Sequence, residues 1–415
     1  MFRIKVPKVY SFEPFLWIYF IWYYLPFMRG VFHSSLYNYL FFSCYLIGCF
    51  LIALHLIIKT KTICLRSNAV YPILIYMMTM TIFVFFEMGD ASEHIRVSFT
   101  FWGTFLIFYF LESYEDARGR LAKLLFVLFI ITLVTSVIGV IINPRAARLL
   151  TFSLNAREED IGLKLLNIAD ISFFQCLVIC VPIILTFFYK GKRKIACGLG
   201  LILIFYSLIM ASFTISLMIF FVALIMGIYI NNNSSKKILL VIFFAILLII
   251  IPWHSLFIYL SEIINNPTIS ERLLSISETI SSRMIAGKLS SRFSLYMQSL
   301  NTFLSNPLGV GPEYSFIAMR NGIGYHSQIL DDFARYGIFG VLFYFVFFNE
   351  YRKLIKNQWK KIQMANLATP IIFIYLLFLT FNPGFTSPYE SVVMLFLIPM
   401  LPSIIRKKGD LNEYE

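Results

Sequence analysis

A histidine, a serine and two adjacent carboxylates within one turn-and-helix stretch are a set of side chains that could move a proton. They stand in "GYHSQILDD" as His326, Ser327, Asp331 and Asp332. Ser327 is placed to cap a helix beginning there, with both aspartates near its first turn, where carboxylates complement the positive end of the helix dipole. The same dipole disfavours a second positive charge on His326, so a histidine held there tends to stay neutral and can accept a proton. A capping or interfacial histidine is the alternative, and position alone leaves both open. Asp331 and Arg335 are spaced i,i+4 and are expected to pair, which makes that aspartate structural.

Arginines surround this stretch. Arg283, Arg292 and Arg320 flank its flexible pieces, and Arg145, Arg148 and Arg157 lie in a second polar segment, "NPRAARLLTFSLNAREEDIGLK" at 143–164. Arginine binds phosphate oxygens in bidentate fashion, so two such segments converging over one place could hold a pyrophosphate. Each arginine could instead contact lipid headgroups or pair with Glu158, Glu159, Asp160, Glu271 or Glu278. The "GVG" of "NPLGVGP" could present backbone N–H groups to an anion, although with two glycines a plain turn is the simpler reading. Tyr314 and Tyr325 could stack on a sugar ring.

The elements that must position these groups are apolar. Of 415 residues, 59% are hydrophobic, 18% aromatic and only 14% charged, the composition of a polytopic membrane protein. Apolar segments recur near 14–28, 36–58, 69–87, 96–111, 122–142, 166–189, 195–211, 213–231, 237–256, 329–350, 367–381 and 389–405, most close to the roughly 20 residues a bilayer requires. About two thirds of the 35 Lys and Arg fall in alternate connections, from "FRIKVPK" and "KTKTICLR" to "YRKLIKNQWKK" and "RKK", which predicts that both termini are cytoplasmic. The formal charge of +13 is then a matter of topology, and no nucleic-acid partner is expected. The run from Phe15 lacks a small-residue cleavage site and reads as the first helix. None of the six cysteines falls in an outer segment, so no extracytoplasmic disulfide is expected, and Cys176 and Cys180 read as packing residues.

The fold expected is therefore all-α: a polytopic membrane protein with about 12 transmembrane helices and a large helical extracytoplasmic loop. Residues 1–256 would carry the first nine helices with an extracytoplasmic loop at 143–164. Residues 257–328 would form the large loop, and 329–415 the last three helices and a cytoplasmic tail. Within that loop, apolar residues recur with the helical period over 269–284 and 293–304, which predicts two amphipathic helices at the outer leaflet. The second should end at "NPLGVGP". Walker loop, HExxH and clustered Cys/His sets are all missing from the sequence, so neither a metal nor another cofactor is expected. Ionisable groups are scarce in mid-membrane, which disfavours a coupled transporter or lipid-linked oligosaccharide flippase.

The order "SSRFSLYMQSLNTFLSNPLGVGPEYSF", a variable insert, then "YHSQILDDFARYGIFGVLFYF" resembles the large extracytoplasmic loop and following span of the O-antigen polymerase and O-antigen ligase superfamily. The residues that carry the resemblance are Arg292, Asn306-Pro307, Gly309-Val310-Gly311, His326-Ser327 and Gly337-Ile338-Phe339-Gly340. The resemblance implies a metal-independent membrane glycosyltransferase acting on polyprenyl-pyrophosphate-linked glycan donor and acceptor at the outer face of the bacterial inner membrane. His326 would be the general base and Arg292 the contact to pyrophosphate or donor sugar. Partners implied are the lipid bilayer, a chain-length regulator and a flippase. Many ligases carry an arginine in the turn that here reads "ASFTIS", with Ile215 and Ser216, so Arg148 or Arg157 is expected to supply the second pyrophosphate contact. That difference favours a polysaccharide polymerase over the ligase that transfers glycan to lipid A core.

Overall fold

Prolines and glycines decide where the apolar runs stop being helical. A computed structural model describes residues 12–60, 68–86, 91–152, 158–191, 193–211, 213–231, 253–263, 270–271, 273–274, 277–278, 287–311 and 322–405. In chain order the helices are α1 (Glu13–Tyr24), α2 (Pro26–Val31), α3 (Ser35–Thr60), α4 (Val70–Phe86), α5 (Ala91–Phe110), α6 (Glu115–Ile142), α7 (Ala146–Phe152), α8 (Glu158–Leu165), α9 (Ile171–Ile179) and α10 (Val181–Tyr189). There follow α11 (Lys194–Met210), α12 (Thr214–Asn231), α13 (Trp253–Ile263), α14 (Gly287–Ser305), α15 (Gln328–Tyr336), α16 (Ile338–Lys360), α17 (Ala368–Phe381), α18 (Pro388–Val392) and α19 (Ile398–Ile405). No strand occurs among the described residues.

Among the described residues, five stretches are long and apolar enough to cross a membrane: Ser35–Ile57, Glu115–Ile142, Ile171–Tyr189, Thr214–Asn231 and Pro388–Ile405. The 28 residues of α6 rise about 42 Å, more than the hydrocarbon core of a bilayer. Large apolar side chains stand outward along these and neighbouring helices, among them Leu36, Ile142, Ile195 and Phe345. Patches of this kind are solvated by lipid, and the chain has the architecture of an α-helical membrane protein.

Two expected spans are divided. The first breaks at Leu25, whose extended ψ of 120° is what a following proline imposes, so α1 and α2 replace one helix over 14–28. The span over 329–350 breaks at Gly337, at φ 57°, separating α15 from α16. The expected span at 237–256, apart from 253–256, and the amphipathic helix at 269–284, apart from isolated residue pairs, lie outside the described residues. The second amphipathic helix is present as α14 and ends before Asn306-Pro307 as expected. Its apolar stripe is only partly covered, however: Phe293 and Leu304 are exposed and Met297 and Leu300 half-buried, while Ser299 is fully buried against Asp331 and Phe303 packs on Phe333 at 5.7 Å.

α16 organises the core. Residues at helical spacing, Phe343, Phe347, Tyr351, Ile355 and Trp359, form one buried stripe. Phe343 and Phe347 stack with centroids 5.4 Å apart, Tyr76 of α4 stacks on Phe343 at 4.0 Å, and Trp102 of α5 meets Phe347 edge-on at 5.2 Å. The last span is irregular, with a π-helical turn, Val393–Leu397, between α18 and α19. Pro402 cannot donate to the Ile398 carbonyl four residues back, and the indole N–H of Trp359 takes that carbonyl instead at 2.9 Å. Tyr351 donates its hydroxyl to the Met394 carbonyl within the π-helical turn. Cys176 packs in the core with Cys180 beside it, as packing residues, and the five described cysteines are free.

Candidate functional site

The site is built around the start of α15. Ser327, extended at φ −137°, caps the helix by accepting from the Leu330 N–H at 3.1 Å. The expected pairing of Asp331 with Arg335 is not what forms. Asp331 Oδ1 accepts from Ser299 Oγ at 2.6 Å and the Tyr325 N–H at 3.2 Å, while Oδ2 accepts from the Ser327 N–H at 3.2 Å. Arg335 reaches back three residues to Asp332 instead, at 3.3 Å. Asp332 is fully buried, and its Oδ2 also accepts from Tyr76 and Tyr344, each at 2.8 Å, and from Gln328 at 2.9 Å. Both i+3 and i+4 lie within reach on a helix. The tyrosines of α4 and α16 decide which aspartate turns inward. Both aspartates are thus held by structural hydrogen bonds, and His326 is the proton acceptor the stretch retains.

The "NPLGVG" turn clasps the far end of α15. The Gly309 N–H donates to Asn306, the Val310 N–H to the Ala334 carbonyl at 3.0 Å and the Gly311 N–H to the Arg335 carbonyl at 2.9 Å. Those three N–H groups are committed to carbonyls, so the turn is no anion cradle. Gly309 and Gly337 have positive φ, and a Cβ on either would come within 2.2 Å and 2.1 Å of a backbone oxygen.

His326 is half-buried between these elements. Its Nδ1 lies 3.0 Å from the Tyr325 carbonyl, which can only accept, so Nδ1 carries the hydrogen and Nε2 is left as the basic nitrogen. Burial pushes the imidazole below its ordinary value; the backbone hydrogen bond to Tyr325 opposes the shift, and the Arg292 charge reinforces it. The residue before it, Tyr325, sits at φ 59°, and Arg335 lies over its ring at 5.8 Å, so its aromatic face is engaged by the protein itself.

His326 and Tyr325 line a cavity of about 540 Å³ that also takes in Arg292 from α14, Arg148 from α7 and Arg29 from α2. Arg335, Asp331 and Asp170 complete its charged wall. Burial, and then the charge of Arg292, lowers the Arg148 guanidinium from its ordinary value, which still leaves it cationic at neutral pH. Arg29 donates to the Tyr389 hydroxyl and lies 5.3 Å from that ring. α2 reaches this position because the Phe27 N–H donates to Asn167 Oδ1 at 3.1 Å, which ties the first turn to the segment following α8. The "ASFTIS" turn contributes Ile215 and Ser216 to the wall, and no charge.

Polar atoms at the cavity lack partners. Arg29 Nε, Gln175 Nε2 and Asn382 Nδ2 are buried donors with no acceptor, and the Ser216 hydroxyl is likewise unsatisfied. Buried polar groups are ordinarily hydrogen-bonded, so this wall fits a ligand rich in acceptor oxygens and negative charge.

Of the residues expected from sequence, His326, Arg292, Arg148 and Tyr325 come together here. Arg157, Arg283, Arg320 and Tyr314 lie outside the described residues. Arg145 is exposed and belongs to the turn after α6, where its N–H donates to Asn143 Oδ1. Sequence reasoning missed Arg29, Gln175 and Asn382. Arg29 carried one usable signal, as a lone basic residue in a connection on the side where Lys and Arg are scarce. No protein-family model matches the chain, and no curated protein matches it either. Fold and site together define an α-helical membrane protein with an arginine-rich cavity beside a half-buried histidine.

Proposed function

We propose that the protein is a membrane glycosyltransferase that polymerises lipid-linked oligosaccharide repeat units. It would move the growing glycan from a polyprenyl pyrophosphate donor onto the non-reducing-end sugar of a new lipid-linked unit. The observation that carries this reading is the meeting of His326, Arg292, Arg148 and Arg29 in one cavity, drawn from three distant parts of the chain. In the reaction proposed, the acceptor hydroxyl gives its proton to His326 Nε2 as its oxygen bonds to the donor's anomeric carbon. The bond from that carbon to the phosphate oxygen breaks, and the lipid pyrophosphate leaves with the electron pair. Arg292, Arg148 and Arg29 bind the phosphate oxygens and take up the charge that develops on the leaving group. The unsatisfied Gln175 and Asn382 amides supply donors to sugar hydroxyls or phosphate oxygens.

A general base contributes about 10²–10⁴-fold, so positioning of two long substrates supplies much of the remainder. This reading keeps the wider topology expected from sequence: about 12 spans, a large outer loop, both termini cytoplasmic and the cavity on the outer face of the bacterial inner membrane. The uncharged "ASFTIS" wall supports polymerase over ligase, since the second anion contact falls to Arg148 and Arg29. The test is His326→Ala in a strain deleted for the gene, with surface glycan resolved on a gel. A polymerase loses the ladder and keeps single repeats on the acceptor. Loss of all attached glycan would mark a ligase, loss of export a flippase, and an unchanged ladder would remove His326 from the chemistry.

A further inference from the structure

The end of the bundle farthest from His326 holds a second built cavity. α6 begins at Glu115 and ends beside the segment carrying Arg148, so Arg118 in its first turn lies about 36 Å of helix from that end. Around Arg118 a pocket of about 300 Å³ opens, bordered by Glu112, Glu350, Lys353 and Asn68. Arg118 is only 7% exposed, its guanidinium lies 5.2 Å from the Phe108 ring, and its Nε has no hydrogen-bond partner. The Glu115 carboxylate stands at 3.9 Å, beyond hydrogen-bond distance. A buried guanidinium with an open donor is matched by an oxyanion. Carboxylates share the same pocket: Glu112 is exposed, and Glu350 holds Lys353 at 2.6 Å. Lys353 already neutralises Glu350, so Glu112 is the carboxylate left open to a cation, and a ligand that satisfies both Arg118 and Glu112 carries both charges.

A neighbouring groove says what else that ligand carries. Asn68 and Glu350 also border an apolar groove of about 410 Å³ between α4 and α16, walled by Ile75, Leu342 and Val346 and reaching Phe339. From Glu350 to Phe339 the helix rises about 16 Å, the depth of roughly one leaflet. A polar pocket opening into an apolar groove of this length matches a headgroup with its acyl chain.

We propose that the two cavities bind one phospholipid whose headgroup carries both a phosphate and a primary ammonium, a phosphatidylethanolamine. Its phosphate accepts from Arg118, its ammonium donates to Glu112, and one acyl chain lies between α4 and α16. A lipid without the ammonium leaves the Glu112 carboxylate facing its phosphate unmatched. A quaternary ammonium restores the charge but donates no hydrogen bonds.

The test is native mass spectrometry of the purified full-length protein with phosphatidylethanolamine, phosphatidylcholine and phosphatidylglycerol of identical acyl chains. Phosphatidylethanolamine should bind about tenfold more tightly than either of the others, and Arg118→Gln should remove about that factor, the worth of one charge-assisted hydrogen bond. Glu112→Gln, at an exposed position, should equalise phosphatidylethanolamine and phosphatidylcholine while the Tm stays unchanged. Equal binding of the three lipids, tightest binding of phosphatidylglycerol, or a preference that survives Glu112→Gln would overturn the proposal. So would displacement of the lipid by equimolar soluble phosphoethanolamine, since the groove would then contribute nothing.

Discussion

At the scale of residues, the neutral state of His326 sets a pH dependence. The imidazole is held below its ordinary value of about 6.5, so the basic form persists as pH falls through that value. The acid limb of the rate profile should therefore lie below pH 6.5, and a midpoint at or above 7 would show that another group titrates. The sign for stability follows from the same shift. The unfolded chain takes this proton first, so the contribution of a neutral His326 is complete above about 6.5 and is lost as pH falls below it. Arg29→Ala and Arg148→Ala should each slow glycan transfer about 10–100-fold, the worth of one charge-assisted hydrogen bond to a leaving phosphate, read in single-turnover assays. His326, Arg292 and Arg148 were legible in the sequence because charge is rare in so apolar a chain. Arg29 was not, since only the hydrogen bond from Phe27 to Asn167 brings α2 to the segment following α8. The partner of Arg335 was misassigned because helical spacing allows Asp331 or Asp332, and Tyr76 and Tyr344 choose between them.

At the scale of elements, the clasp on α15 depends on backbone that only glycine adopts without strain. Gly337→Ala adds a Cβ that would meet the Pro307 oxygen at 2.1 Å and forces a positive φ on alanine. It should destabilise the protein by more than about 2 kcal/mol, visible as a lowered Tm in detergent, and an unchanged Tm would mean the turn relaxes freely. Trp359→Phe strands the Ile398 carbonyl that Pro402 cannot satisfy, and should cost about 1–3 kcal/mol by the same measurement. The helix end at Asn306-Pro307 was readable from proline chemistry alone, whereas the break before Pro26 was hidden inside an apolar run that reads as one span. The division at Gly337 was hidden, because a glycine in an apolar run reads as close packing until its φ is known. The exposure of Phe293 and Leu304 on α14 was hidden too, since periodicity finds a face without saying what covers it.

At the scale of the whole molecule, the long helices place the arginine cavity and the Arg118 pocket at opposite ends of the bundle. Single cysteines at the exposed positions Arg145 and Lys353 should label from opposite sides of the membrane with an impermeant thiol reagent, in an otherwise cysteine-free chain. Labelling of both from one side would contradict the crossing of α6. Hydropathy made the membrane class plain, because about 20 apolar residues in a row have few other uses. The meeting of three chain segments in one cavity was not plain, since it arises from tertiary packing between residues more than a hundred positions apart. The most direct measurement is chain extension by the purified protein in lipid vesicles, given a pyrophosphate-linked oligosaccharide as sole donor and acceptor. The wild-type protein should release lipid pyrophosphate and yield a ladder of products, while His326→Ala binds substrate and leaves single units. A ladder of normal length from His326→Ala, or no pyrophosphate release by the wild type, would contradict the assignment of this cavity as the polymerising site.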